Sequence, residues 1–117
     1  MHDNGTVYEG SWLNDKRDGD GFQIYKNGNS YKGQFQNNHP HGKGSFFWTN
    51  GEVYEGEWYN GQKQGYGIWK GTEGDSYIGE WQRNKANGPG VHTWKNGDKY
   101  EGEWKDMVKH GQGTDLF

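Results

Sequence analysis

Glutamates recur in close pairs, Glu55/Glu57 and Glu101/Glu103, the residue type and spacing that general acid–base chemistry would use. They stand in register with Glu9 and Glu80, each alternating with Tyr, Gly or Trp, which assigns them to a solvated strand face rather than to a pocket. His39 and His41 flank Pro40, and His110 stands alone. Three imidazoles on two loops, with no accompanying carboxylate pattern, do not compose a metal set. The segment GKGS at 42–45 has the residue types of a phosphate-cradling loop but lacks the glycine four positions upstream, and its Lys43 is misplaced. Asn4-Gly5-Thr6 is formally a glycan acceptor, although nothing in the sequence routes the chain through secretion. No catalytic residue, metal or cofactor is expected, and the protein reads as not an enzyme.

Binding chemistry offers more. The six residues that follow each Trp and precede the next glycine read as hairpin loops. They contain Lys16, Arg17, Lys63, Arg83, Lys85, Lys105 and Lys109 against only Asp15, Asp18 and Asp106. Recurring on one edge, they would form a basic rim, and Lys16, Arg17, Lys63, Arg83, Lys85 and Lys109 are the candidate contacts to anionic phospholipids or phosphoinositides. Wet loops also carry lysine for solubility alone. The glutamates Glu9, Glu55, Glu57, Glu80, Glu101 and Glu103 would line one face as an acidic stripe. The second candidate surface is aromatic: Tyr8, Trp12, Tyr31, Phe35, Tyr54, Trp58, Tyr77, Trp81, Tyr100 and Trp104 recur on one face. Most of that lattice is structural, but its exposed part suits the apolar side of a partner helix or peptide, because Trp and Tyr are favoured anchors.

The elements that must position these residues are unusual in composition. Only 27% of the 117 residues are hydrophobic and mean hydropathy is −1.41, which by itself suggests disorder. Leu, Ile and Val together number nine, whereas Trp, Tyr and Phe number 20, and large rings can bury what the aliphatics cannot. No apolar run approaches the ~20 residues of a membrane span. The chain has no Cys and no signal-peptide pattern, so a cytoplasmic location is expected, at the cytoskeleton or a membrane if the binding readings hold. The net charge of −3 argues against nucleic acid as a partner.

Glycine supplies the order. Gly5, Gly28, Gly51, Gly74 and Gly97 are each 23 residues apart, and the same step links Tyr8 to Tyr100 and Trp12 to Trp104 through every intermediate repeat. Gly10, Gly19 and Gly21 begin three further series, so 20 of the 22 glycines fall on the lattice. Each unit reads G-x-x-Y-x-G-x-W, six variable residues, then G-x-G, with Phe35 in place of Trp in the second unit. The stretches GEVYEGEWYNGQKQGYG and GDKYEGEWKDMVKHGQG carry the pattern most fully. This resembles the MORN repeat (membrane occupation and recognition nexus) over essentially the whole chain, as repeats 3–25, 26–48, 49–71, 72–94 and 95–117. The resemblance implies a non-catalytic protein-interaction scaffold, of a kind found in cytoskeletal, ciliary and junctional membrane complexes and beside kinase or exchange-factor domains. It also implies, as an alternative, a peripheral module for anionic lipids.

Independently of family, the expected fold is all-β: an elongated, twisted, single-layer antiparallel meander of five hairpin repeats. The triplets KNG (26–28), TNG (49–51), TEG (72–74) and KNG (95–97) fit three-residue hairpin loops ending in a left-handed glycine. That odd length keeps Tyr25, Trp48 and Trp94 on the face of the lattice tyrosines, with Trp69 covering for Gly71. Ten strands at ~4.8 Å spacing give a rod about 48 Å long. Phe22, Ile24, Phe47, Ile68, Val91 and Leu116 fall on the other face. A single layer buries too little to offset chain ordering comfortably, so a partner, a second copy as a homodimer, or a helix from elsewhere is expected on one face. The chain stops on a repeat boundary without a polar cap, as a fragment of a longer protein would.

Overall fold

A computed structural model describes residues 6–105 and the backbone of 108–116. Among these residues ten strands form one sheet in sequence order, every neighbour antiparallel, as the repeat pattern requires. They are β1 (Val7–Leu13), β2 (Lys16–Ile24), β3 (Ser30–Gln36), β4 (His39–Phe47) and β5 (Val53–Tyr59). β6 (Gln62–Lys70), β7 (Ser76–Gln82), β8 (Lys85–Thr93), β9 (Lys99–Lys105) and β10 (Val108–Leu116) complete it. The rod measures 49 × 24 × 18 Å.

The turns between repeats follow the expected chemistry. Tyr25 N donates to Asn29 O at 2.8 Å, closing the loop 26–28, and Gly28 N donates back to Tyr25 O with Gly28 at φ +95°. Trp48–Glu52 and Trp94–Asp98 close identically around Gly51 and Gly97. The Asn of the three Asn-Gly triplets adds an Asx bond, as where Asn50 Oδ1 accepts from Glu52 N at 2.9 Å.

The turns within repeats correct the expectation of six-residue loops. The strands continue through those residues and reverse over two: Asn14-Asp15, Asn37-Asn38, Asn60-Gly61 and Arg83-Asn84, with both residues at positive φ. Such primed turns match the strand twist, and Asn, Asp and Gly tolerate them best. The four surplus residues divide between continued strand pairing and a bulge. In the first repeat the register runs from Gly10↔Gly21 to Trp12↔Arg17, which sets residues 18–20 against Ser11 alone, with Gly19 at φ +87°. Equivalent jumps occur at Gly33/Phe35, Gly56/Trp58 and Gly79/Trp81. The long side chain opposite the bulge ties it down: Gln34 Oε1 accepts from Lys43 N at 2.8 Å.

Each two-residue turn after the first also docks on the preceding repeat. Asn84 Oδ1 accepts from Lys63 N at 2.8 Å while Asn84 N donates to Lys63 O at 3.1 Å, and Asn38 makes the same pair of bonds with Arg17. Repeats are thus joined at both ends of their strands, not only through the ladder.

One face carries the core. Directly paired across the sheet lie Tyr8, Gln23, Tyr31, Phe46, Tyr54, Trp69, Tyr77, His92 and Tyr100. Each lattice tyrosine lies along its own strand over a glycine pair, and its hydroxyl donates to the carbonyl three residues on, as Tyr54 does to Glu57 O at 2.9 Å. In the first four repeats the ring meets two lattice rings edge-on. Tyr54 is 5.2 Å from both Trp58 and Trp81, and Tyr77 is 5.2 Å from Trp81 and 5.6 Å from Trp104. The indoles are fixed in turn, Trp58 Nε1 donating to Gly44 O at 3.0 Å and Trp81 Nε1 to Gly67 O at 3.1 Å. This zigzag of T-shaped pairs, each worth about 0.5–1.5 kcal/mol beyond area burial, replaces a second layer.

Candidate docking groove

The core arrangement redistributes the residues expected to receive a partner. Tyr8, Tyr31, Phe35, Tyr54, Trp58, Tyr77, Trp81, Tyr100 and Trp104 are buried, with Tyr31 and Tyr54 wholly inaccessible. Trp12 alone of the ten is open, at 50% exposure. The cause is the stacking of repeats: a ring lying along its own strand over glycine is covered by the Trp or Phe of its own repeat and, in repeats one to four, by that of the next.

What the aromatic face leaves accessible is a second row at the C-terminal ends of the even-numbered strands and on the residues that directly follow them. Tyr25, Phe46, Trp48, Trp69 and Trp94 are half-buried and pack on the core from one side only. Phe46 and Trp48 meet at 4.6 Å, and the His92 ring lies 4.6 Å from Trp94 and 6.4 Å from Trp69. Phe46 and His92 escape a motif reading because this lattice position holds Gln23, Phe46, Trp69 and His92 in turn; only strand parity with the tyrosines marks it. Two hollows open along this row. One, of about 310 Å³, lies between Lys63, Trp69, Trp81, Ala86 and Trp94; the other, of about 430 Å³, lies between Arg17, Tyr25, Asn38, Pro40 and Phe46. A broader hollow of about 610 Å³ occupies the opposite face. Its lining mixes Lys32 and Lys43 with Glu55 and Glu57, without the row of half-buried rings, so volume alone does not make it the better anchor site.

Lys63 sits inside the groove. It pairs with Trp58 across the hairpin, and its Nζ lies 5.0 Å from the ring centres of Trp48 and Trp81 and 5.5 Å from Tyr54. Burial lowers its pKa below the usual lysine value, opposed by the charge of Glu52. Arg17 holds the equivalent place in the first repeat, 5.9 Å over both Tyr8 and Phe35, and donates to Gln23 and Asn38. Burial also raises the pKa of Tyr77 to about 12 and those of Tyr31 and Tyr54 further.

The remaining cations do not share a loop rim. Arg17 and Lys63 face the groove, Lys16 and Lys85 pair with Leu13 and Gln82 on the opposite face, and Arg83 sits in a turn. Strand pairing, which alternates faces residue by residue, separates them. The acidic stripe is interrupted likewise: Glu9, Phe22, Lys32, Ser45, Glu55, Ile68 and Ile78 follow one another across the sheet, and Lys70 approaches Glu55 at 3.8 Å. Phe22, Ile24, Phe47, Ile68 and Val91 do fall on that face. His39 begins β4, and His41 packs on Tyr59 at 5.0 Å, its Nδ1 accepting from Asn60 N. Among the described residues no three His, Asp or Glu converge as a metal set. Asn4, Gly5, Asp106 and Phe117 lie outside the described residues, as do the side chains of Lys109, His110 and Leu116.

Comparison with known families agrees with the architecture. The family model for the MORN repeat matches residues 8–30, 31–53, 54–76, 77–99 and 100–114, each window starting 23 residues after the last. Its frame opens on the lattice tyrosine, five residues after the frame chosen from the glycines. No curated protein matches the chain.

Proposed function

The chain belongs to the MORN-repeat family, and from that premise we propose that it is a non-catalytic scaffold whose aromatic groove docks a helix or peptide of a partner protein. Arrays of this family are in general interaction modules for proteins or membranes. The observation that carries the narrower reading is the row Phe46, Trp48, Trp69, Trp94, half-buried on one side and uncovered on the other. Those rings are held by the core beneath them, so a ligand covers them without the cost of ordering them first. The setting we propose is a cytoplasmic complex at the cytoskeleton, the cilium or a membrane, in keeping with the arrays this chain resembles.

A photo-reactive benzoylphenylalanine placed at position 94 in the whole chain tests the reading, with the same residue at position 66 on the opposite face as reference. The expected result is a cross-link from 94 to one segment of a protein partner, which as a synthetic peptide then binds wild type and loses at least tenfold in affinity for Trp69→Ala. Cross-links confined to position 66, or peptide binding indifferent to Trp69, would contradict it.

A further inference from the structure

Position 63 of the lattice recurs as Arg17, Pro40, Lys63, Ala86 and Lys109: a cation in repeats one, three and five, and a small or rigid apolar residue between. The fold does not need a cation there. Ala86 fills the place buried against Trp81, and the half-buried Pro40 fills it opposite Phe35. Lys63 nevertheless puts an ammonium among three aromatic rings. Among the described residues the ion pairs are Lys70–Glu55 and Lys95–Glu73, and Lys63 belongs to neither. Its backbone is held on both sides by Asn84, which fixes where the side chain begins. Glu52 acts on it only from beyond ion-pair distance. A cation held in place, partly desolvated and with no carboxylate in contact is a binding group for an anion supplied from outside.

Resting on the groove reading above, we propose that the partner segment is acidic as well as apolar: a helix laid along the rod whose apolar side covers Trp48, Trp69 and Trp94 and whose carboxylate reaches Lys63. A second carboxylate meets Arg17, whose guanidinium keeps donors beyond those engaged by Gln23 and Asn38. The two cations are four strands apart, about 19 Å at ~4.8 Å per strand. On a helix rising ~1.5 Å per residue, acidic residues on one face roughly 11–14 positions apart span that distance. A flat sheet of lipid headgroups is the poorer match. Lys63 is recessed between rings that project beside it, and the exposed cations Lys16, Arg83 and Lys85 do not share its face.

The probe is a set of three synthetic 18-residue helical peptides with a common leucine face, carrying at the fourth and fifteenth positions two glutamates, two glutamines or two lysines. Each is titrated calorimetrically into the whole chain and into its Lys63→Met variant, whose fold is checked by circular dichroism. Wild type is expected to prefer the glutamate peptide over the glutamine peptide by about tenfold or more and to reject the lysine peptide. Lys63→Met should keep the glutamine affinity and lose most of the preference, and Lys63→Glu should reverse it toward lysine. A preference that survives Lys63→Met, or equal binding of all three peptides by wild type, overturns the proposal while leaving the groove in place. Failure of every peptide, with loss of affinity for phosphatidylinositol-phosphate vesicles in Lys63→Met, assigns the cation to lipid and overturns it together with the groove reading. Failure of every peptide and no vesicle binding overturns both as well.

Discussion

Adding one methyl group at Gly67 is expected to dislodge the tyrosine beneath the centre of the sheet. Gly67 has ordinary extended backbone, so any effect of Gly67→Ala is steric. Its new Cβ would lie 2.5 Å from Cε1 and Cζ of Tyr54, about 1 Å inside van der Waals contact. The ring has nowhere to retreat. Trp58 and Trp81 meet it edge-on at 5.2 Å, its hydroxyl is bonded to Glu57 O, and it is fully buried. Accommodating the clash costs about 1–3 kcal/mol and ejecting a buried aromatic ring about 3–5 kcal/mol, so we expect Gly67→Ala to cost roughly 3 kcal/mol. Tyr54→Ala alone should cost about 4 kcal/mol. The double variant should also cost about 4 kcal/mol instead of the additive ~7, because removing the ring makes room for the methyl. Urea unfolding followed by far-ultraviolet circular dichroism measures all three. A Gly67→Ala cost below about 0.5 kcal/mol, or additivity in the double variant, would refute the claim that glycine here exists to seat the ring.

Further outcomes follow from the same geometry. Gly74→Ala meets nothing within 4 Å but must hold φ +94°, so it should lose about 1–2 kcal/mol in urea unfolding from backbone strain alone, with Gly74→Asn losing less. Arg83 is the one turn residue at positive φ among the described residues that is not Asn, Asp or Gly, and Arg83→Asn should stabilise by about 0.5–1 kcal/mol, seen as a higher Tm. Alkaline titration should unfold the rod. Burial holds the Tyr77 pKa at about 12, with those of Tyr31 and Tyr54 also raised, against 10.0 unfolded. Since the unfolded chain then loses protons first, their contribution to stability is full below pH 10 and falls as pH rises toward 12 and beyond, which circular dichroism against pH follows.

The extent to which the molecule is legible in its sequence depends on how local each cause is. The loops at 26–28, 49–51, 72–74 and 95–97 are legible because the chemistry lies in three adjacent residues, ending in a glycine, the residue that holds the required φ at least cost. The tight turns at Asn37-Asn38 and Asn60-Gly61 carry equally local signals. The bulge at Gly42 and Gly65 conceals them, because it adds residues to one strand only and makes a continuous hairpin count as a loop. That miscount is why Lys63 and Arg17 read as rim residues when parity puts them in the groove. Whether Tyr54 or Trp69 faces a partner is not a local matter at all. Both share the aromatic face, and only the packing of three successive repeats buries one and leaves the other half open.

The groove as the working surface is tested most directly by nuclear magnetic resonance of the whole chain titrated with the segment cross-linked at position 94. Indole Nε1–H signals report one face, and the rings of Tyr59 and Tyr66 the other. The account predicts shifts at Trp48, Trp69 and Trp94 while Tyr59 and Tyr66 stay fixed. Shifts confined to Tyr59 and Tyr66, with the groove indoles unmoved at saturation, would contradict it.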